Sequence, residues 1–176
     1  TYEGPAVLTR RFRFRPTPGK RVFFEVERAR CLTVRINGVE APPFLPPSLS
    51  APQVFEVTNL MTGDDELAVV SDNSYPGLPR EAIVYSSAAT DETQTNWNGL
   101  LGFVRLREEE STFIHAVRVY PASSSLTVKL DVSAEAAGEE EIRLESGALE
   151  HPVRSVRTLA PGMNELTFAN LPLLTD

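Results

Sequence analysis

LTVRINGVE, residues 32–40, is the stretch that indicates the fold most directly. Apolar side chains stand at every second position from Leu32 to Ile36, which is the period of a half-buried β-strand. The strand pattern stops at Asn37-Gly38, the dipeptide most typical of a two-residue hairpin turn. The stretch therefore predicts one strand, a tight turn and the start of a second strand.

The same alternation recurs along the chain, and no sustained helical period interrupts it. The other predicted strands are Val7–Phe14, Val22–Val26, Val54–Val57, Leu67–Val70, Ala82–Tyr85, Leu101–Leu106, Phe113–Tyr120, Leu126–Val132, Glu141–Glu145, Val153–Leu159 and Glu165–Phe168. Acidic runs at Glu108–Glu110 and Glu139–Glu141 are predicted to form solvated hairpin tips. About eight short strands before residue 121, separated by turns, indicate an all-β sandwich or jelly roll.

The segment Pro121–Ser125 has the composition of a linker, which predicts two domains, residues 1–121 and 122–176. Four predicted strands follow it, whereas an immunoglobulin-like sandwich has roughly seven strands in ~100 residues. We therefore expect the second domain to be a truncated β-sandwich. The 41% of hydrophobic residues is sufficient for a buried core.

Composition excludes several classes of function. A net charge of −7 and an isoelectric point near 5.0 argue against a nucleic-acid partner. No apolar run approaches the ~18 residues of a membrane span. The single cysteine, Cys31, rules out an internal disulfide and is predicted to be a small core residue of a strand; cysteine use therefore does not identify the compartment.

Signatures of catalysis, metal binding or cofactor binding are lacking. His115 and His151 have no metal-ligating partner at short spacing, and the chain has neither a glycine-rich phosphate loop nor a nucleophile elbow. The run Asp64–Glu66 has two interpretations, a calcium site built from oxygen ligands or a polar hairpin turn. We predict no catalytic residue, no metal and no cofactor in this chain.

The stretch TNWNGLLG, residues 95–102, carries the candidate binding site. Trp97, the only tryptophan, lies between Asn96 and Asn98. A flat aromatic ring covers the apolar C–H face of a sugar, and flanking amides exchange hydrogen bonds with its hydroxyl groups. The alternative is that Trp97 is a core anchor and the asparagines are turn formers.

Five pieces of sequence, taken in order, point to a family. They are VLTRRFRF (7–14), LTVRINGVE (32–40), FEVTNL with DELAVV (55–60 and 65–70), TQTNWNGLLG with VRL (93–102 and 104–106), and IHAVRVYP (114–121). Their order and spacing resemble the N-terminal region of family 2 glycoside hydrolases, the group of β-galactosidases, β-glucuronidases and β-mannosidases. Residues 124–176 resemble the first half of the immunoglobulin-like domain that follows in that family.

The resemblance implies a galactose-binding-like jelly roll that packs beside a C-terminal (β/α)8 barrel. In that family both catalytic glutamates lie in the barrel, so no residue of this chain is assigned as acid or nucleophile. A loop of the first domain reaches the pocket in some members. By position, the substrate-contacting residues here are Asn96, Trp97, Asn98, Asp72 and Asn73. The family's acidic residue before the aromatic is replaced by Thr95 and Asn96.

The expected function follows from this resemblance. The chain is interpreted as the non-catalytic N-terminal part of a β-glycosidase that hydrolyses terminal β-linked sugars, with its partners being a carbohydrate and the parent's barrel. One alternative is an independent carbohydrate-binding module, for which Trp97, Tyr75 and Tyr85 are the available platform aromatics. The other is a protein-interaction sandwich, in which Trp97 is buried and no glycan binds.

Overall fold

A computed structural model describes residues 2–77, 79 and 97–174. The chain divides into two compact units, Thr1–Glu108 and Glu109–Asp176. The strands of the first are β1 (Pro5–Phe12), β2 (Arg21–Arg28), β3 (Cys31–Ile36), β4 (Val39–Glu40), β5 (Gln53–Glu56), β6 (Asp65–Asp72) and β7 (Leu101–Glu109), with a 3-10 turn at Thr58–Leu60. The strands of the second are β8 (Thr112–Pro121), β9 (Ser125–Ala134), β10 (Gly138–Leu144), β11 (Val153–Leu159) and β12 (Gly162–Pro172). The predicted all-β class is confirmed.

The first unit is a sandwich of two sheets, with strand orders β1-β6-β3-β4 and β5-β2-β7. Both sheets contribute to one buried cluster, Val34 and Val69 from the first and Phe24 and Phe55 from the second. The alternation in the sequence produces this arrangement, because every second side chain of a strand faces the opposite sheet.

The hairpin predicted at Asn37-Gly38 is present. Ile36 pairs directly with Val39 across the turn, and the two turn residues have φ angles of 53° and 81°. Positive φ at both positions is the type I′ geometry that asparagine and glycine adopt at low cost. The Asn37 side chain also accepts a hydrogen bond from the Glu66 amide at 2.9 Å, which fastens the hairpin to β6.

The second unit contains a three-stranded sheet, β12-β9-β8, and a two-stranded sheet, β10-β11. Leu130, Val132 and Phe168 from the first sheet form a buried cluster with Ile142 and Leu159 from the second. Regular alternation along β9 places these leucine and valine side chains inward.

The linker prediction was wrong. The segment at Pro121 to Ser125 is a tight hairpin connection between β8 and β9, closed by a hydrogen bond from the Ala122 amide to the Ser125 carbonyl at 2.7 Å. Because β8 pairs with β9 along its length, it belongs to the second unit. The compact units accordingly divide after Glu108, earlier than the boundary expected after residue 121.

Both acidic runs differ from expectation. Glu108 and Glu109 belong to β7, and only Glu110 lies between β7 and β8, which are strands of different sheets and do not form a hairpin. Glu139–Glu141 is part of β10, where Glu140 pairs with Arg157 of β11. The run is exposed there, so its charges remain in water although the backbone is in a ladder. The predicted strand 82–85 lies outside the described residues.

Candidate functional site

The candidate site lies at the end of β6, where the inward-facing positions change from apolar to polar. Val69, Ser71 and Asn73 occupy successive inward positions, and all three are buried. A buried polar side chain requires a hydrogen-bond partner. Ser71 and Asn73 find theirs in two other segments of the chain, the N-terminal residues and the loop that contains Trp97.

Asn73 holds the N-terminal segment. The Gly4 amide donates to its Oδ1 at 2.9 Å, and its Nδ2 donates to the Tyr2 carbonyl at 3.0 Å. These bonds join residues far apart in sequence, so the buried Asn73 amide fixes where the chain enters the first strand.

Asn98 holds the Trp97 loop. Its Nδ2 donates to the Gly4 carbonyl at 2.7 Å and more weakly to Asn73 Oδ1 at 3.4 Å. Its Oδ1 accepts from Ser71 Oγ and from the Gly99 amide, both at 2.8 Å. An amide side chain has two N–H donors and two acceptor lone pairs, so the protein itself uses the hydrogen-bonding capacity of Asn98.

Asp72 is engaged locally. Its Oδ1 accepts from the Ser74 amide at 2.8 Å and from Ser74 Oγ at 2.6 Å, which forms a turn directly after β6. The structure thus brings Asp72, Asn73, Trp97 and Asn98 to one end of the first unit. Asn96 lies outside the described residues. Sugar contact by these five residues stays a prediction.

Trp97 is half-buried and contacts a buried cation. The guanidinium carbon of Arg30 lies 4.3 Å from the centroid of the Trp97 ring and 5.7 Å from that of Tyr75. Arg30 is only 5% exposed and occupies the connection between β2 and β3. Cation–π contacts of this kind orient the indole and hold the charge in place.

The other two candidate platform aromatics do not add to an exposed surface in the described structure. Tyr75 is 3% exposed, with a φ angle of 53° that is unusual for a bulky residue. Its buried ring is a wall of the site and leaves no free face for a glycan. Tyr85 lies outside the described residues.

A cavity of about 240 Å³ opens beside Arg30. Its walls include Cys31, Gln53, Tyr75 and the loop segment 47–49. Burial raises the pKa of the Cys31 thiol; the negative charge of Asp72 raises it further, and Arg30 partly opposes the shift. Cys31 lies in β3, as the sequence predicted, but it is only half-buried and lines this cavity rather than the core.

The acidic run Asp64–Glu66 lies where a polar turn enters β6, with Asp64 in the turn and Asp65 and Glu66 at the start of the strand. Asp65 is buried, and its carboxylate accepts from Thr62 N at 2.8 Å, Gly63 N at 3.0 Å and Asn37 Nδ2 at 2.7 Å. Burial opposes ionisation, but these hydrogen bonds outweigh it and lower the pKa of Asp65 below its ordinary value. Within the described residues, no group of three or more His, Cys, Asp or Glu side chains is placed to hold a metal ion.

Three residues of the site were not predicted from the sequence: Arg30, Gln53 and Ser71. The sequence did contain a signal for Ser71, because it lies two positions after Val69 along β6 and therefore faces inward as Val69 does. Arg30 gave no such signal, since an arginine in a short connection between two strands is ordinarily exposed.

No helix formed by the described residues has the length and apolar character that crossing a membrane requires.

Comparisons with known proteins give a consistent fold. No protein-family model matches the chain, and no curated protein matches it. A β-glucuronidase of Bacteroides uniformis aligns at 16% identity and a TM-score of 0.70, over 98% of this chain and 22% of that chain. The β-D-mannosidase of Dictyoglomus thermophilum aligns at 15% identity and a TM-score of 0.61, over 92% of this chain and 23% of that chain.

A third structure, a β-glucuronidase described as belonging to glycoside hydrolase family 2, aligns at 20% identity and a TM-score of 0.62, over 99% of this chain and 21% of that chain. The chain therefore spans about a fifth of the length of these glycosidases. Identities this low establish the fold and leave the activity open. The chain has the fold of the N-terminal region of family 2 glycoside hydrolases, as its five sequence motifs predicted.

Proposed function

We propose that this chain is the non-catalytic N-terminal part of a β-glycosidase, and that its first unit forms one wall of the substrate pocket. The observation that carries the proposal is the fold match over 98% of this chain to only 22% of a β-glucuronidase. A piece of that size leaves the remaining length of such an enzyme for a catalytic domain. The barrel that the family resemblance implies would supply the acid and the nucleophile.

The carboxylates of the chain support a non-catalytic role. Glycosidases need a carboxylic acid with a raised pKa beside a second carboxylate. Among the described residues, the buried carboxylates are Glu25 and Asp65. Glu25 is paired with Arg105 at 2.7 Å and Arg107 at 2.8 Å. The pKa of Asp65 is lowered, which is the wrong direction for a general acid.

The Trp97 loop supports the role as a pocket wall. The hydrogen bond between Ser71 and Asn98 fixes the loop to the end of β6, and the Arg30 guanidinium packs against the Trp97 ring. The ring is only half-buried, so part of it is available to stack on a sugar or on the barrel. In this arrangement Asn98 is a positioning residue, and Trp97 is the residue that contacts substrate.

The test compares this chain with the full-length product of its gene, on a panel of aryl β-glycosides. If the proposal is right, the full-length product is the longer of the two; we expect hydrolysis by it alone, and the cleaved member of the panel would name the sugar. Turnover by the 176-residue chain itself would refute the non-catalytic role. Inactivity of both would favour an independent carbohydrate-binding module or a protein-interaction sandwich.

Trp97→Ala in the longer product tests the pocket wall. Loss of one stacking contact worth about 1.5 kcal/mol lowers kcat/KM about tenfold, mainly through KM. Asn59→Ala is the matched control, because Asn59 is exposed in the 3-10 turn of the same unit. Equal kinetics for the two variants would exclude Trp97 from the substrate pocket.

A further inference from the structure

Arg30 has one edge of its guanidinium group unused. The Arg30 pocket is defined here as the cavity lined by Arg30, Gln53, Tyr75 and the loop segment 47–49. Arg30 is 5% exposed. In the described part of the chain, neither Nε nor Nη2 has a hydrogen-bond partner, and both atoms are shielded from solvent. A buried charged donor without an acceptor is costly, so the absence of an acceptor requires an explanation.

The two unused nitrogens determine what would satisfy them. Nε–H and Nη2–H lie on the same edge of the planar guanidinium and point in parallel directions. That edge matches the two oxygens of a carboxylate, which accept the pair of hydrogen bonds together. The contacts of Arg30 with Trp97 at 4.3 Å and Tyr75 at 5.7 Å hold the cation but provide no oxygen acceptor.

Gln53 supplies the second half of the recognition. Its Nε2 donates to the Ala29 carbonyl at 3.2 Å and to the Arg30 carbonyl at 2.7 Å, which fixes the orientation of the amide. Its Oε1 is buried and finds no donor among the described residues. A ligand that suits the pocket therefore presents a carboxylate to Arg30 and a hydroxyl donor to Gln53.

We propose that the Arg30 pocket binds a small hydroxycarboxylate, with the carboxylate on Nε and Nη2 of Arg30 and a hydroxyl donating to Oε1 of Gln53. A cavity of about 240 Å³ is below the ~300–1,000 Å³ of drug-sized sites, so it suits one acidic sugar ring or a simple hydroxy acid. Nε and Nη2 of Arg30 and Oε1 of Gln53 have almost no surface accessible to water, so a ligand in the cavity reaches them only after the side chains that cover them shift. This inference does not depend on the proposed glycosidase function.

The test titrates the 176-residue chain with D-glucuronate and with glycolate by isothermal calorimetry, followed in parallel by Trp97 fluorescence. The controls are D-glucose, which lacks the carboxylate, and acetate, which lacks the hydroxyl. We expect saturable binding of at least one hydroxycarboxylate, about tenfold tighter or more than binding of either control. Preference for glucuronate over glycolate identifies an acidic sugar as the source, and the reverse identifies a simple hydroxy acid.

Two results would overturn the proposal at this stage. One is the absence of saturation by both hydroxycarboxylates up to about 50 mM, the range of very weak affinity. The other is binding of inorganic phosphate as tight as that of the better hydroxycarboxylate, which would indicate a general anion site.

Variants then locate the binding. Arg30→Lys keeps the charge but removes the two-donor edge, so affinity falls about tenfold or more. Arg28→Lys is the matched control, because Arg28 is an exposed arginine at the end of β2. This substitution should leave the affinity for the hydroxycarboxylate nearly unchanged. Unchanged affinity in Arg30→Lys would refute the assignment.

If Arg30→Lys does not fold, guanidinium NMR of the wild-type chain decides the question. With ¹⁵N-labelled arginine, the ligand should shift the Nε–H signal of a solvent-protected arginine. Shifts confined to rapidly exchanging, exposed arginines would contradict the proposal.

Discussion

Replacing Asn98 with alanine should destabilise the first unit by about 2 kcal/mol. The four hydrogen bonds of the Asn98 side chain are not lost equally. Ser71 Oγ can donate instead to the Gly99 carbonyl at 3.3 Å, and the Gly99 amide keeps Ser71 Oγ as an acceptor at 3.2 Å. The Gly4 carbonyl, by contrast, loses a 2.7 Å bond and is buried. Net losses of about 1 to 1.5 kcal/mol for that bond, plus a smaller loss at Asn73, give the expected total.

Asn98→Asp makes the prediction specific to the orientation of the amide. The aspartate keeps an acceptor toward Ser71 but places a second carboxylate oxygen where Nδ2 stood, facing the Gly4 carbonyl and Asn73 Oδ1. Opposed acceptors repel, so this variant should be destabilised at least as much as Asn98→Ala. A simple loss of side-chain volume would give the opposite order.

The assay is urea unfolding followed by the fluorescence of Trp97, which is the only tryptophan and reports on the first unit. Asn59→Ala serves as the control, and as an exposed substitution it should change stability by less than about 0.5 kcal/mol. The reasoning fails if Asn98→Ala matches this control, or if Asn98→Asp is the milder of the two Asn98 variants.

Three further predictions concern backbone strain, pH and thiol reactivity. Gly102→Ala should destabilise the protein by about 1–3 kcal/mol in urea unfolding, because Gly102 has a φ of +74° and a Cβ at this position would lie 2.9 Å from Cβ of Glu27. In the control, Gly138→Ala, the new Cβ meets no atom within 4 Å and the substitution should be tolerated. The pKa of Asp65 is lower in the folded state, so the ionised carboxylate stabilises the fold fully above the unfolded pKa of about 3.9 and loses this effect as the pH falls through the folded pKa. Asp65→Asn should therefore lose less stability in acid than the wild-type chain does. An unchanged dependence of stability on pH would contradict this. The raised pKa of Cys31 predicts slow reaction with a disulfide reagent at pH 7.5 and a steep increase above pH 9; reaction as fast as that of free cysteine at pH 7.5 would refute it.

Local patterns predicted the strands well because both period and turn chemistry act over a few residues. Asn37-Gly38 required no tertiary information, since positive φ at both positions is an intrinsic preference. Pro121–Ser125 has the same small and turn-forming residues whether it links domains or closes a hairpin. Only the pairing of β8 with β9 distinguishes those two cases, and that pairing is long-range information.

The site was predicted in position more than in role. The sequence brought Asp72, Asn73, Trp97 and Asn98 together as ligand contacts, and the structure places them at one end of the first unit. The partners of Asn98 are Gly4 and Ser71, which are distant in sequence. No periodicity reveals such contacts, so a structural amide and a ligand-binding amide look alike in the chain.

The hydrogen bonds of Tyr2 and Gly4 to Asn73 and Asn98 have a practical consequence for work on this protein. They seat the amino end of the chain against the same loop that presents Trp97. An affinity tag or fusion partner attached at that end emerges next to the tryptophan and competes with anything that approaches it. The tagged and the tag-free chain should therefore be compared before any glycan-array result is interpreted.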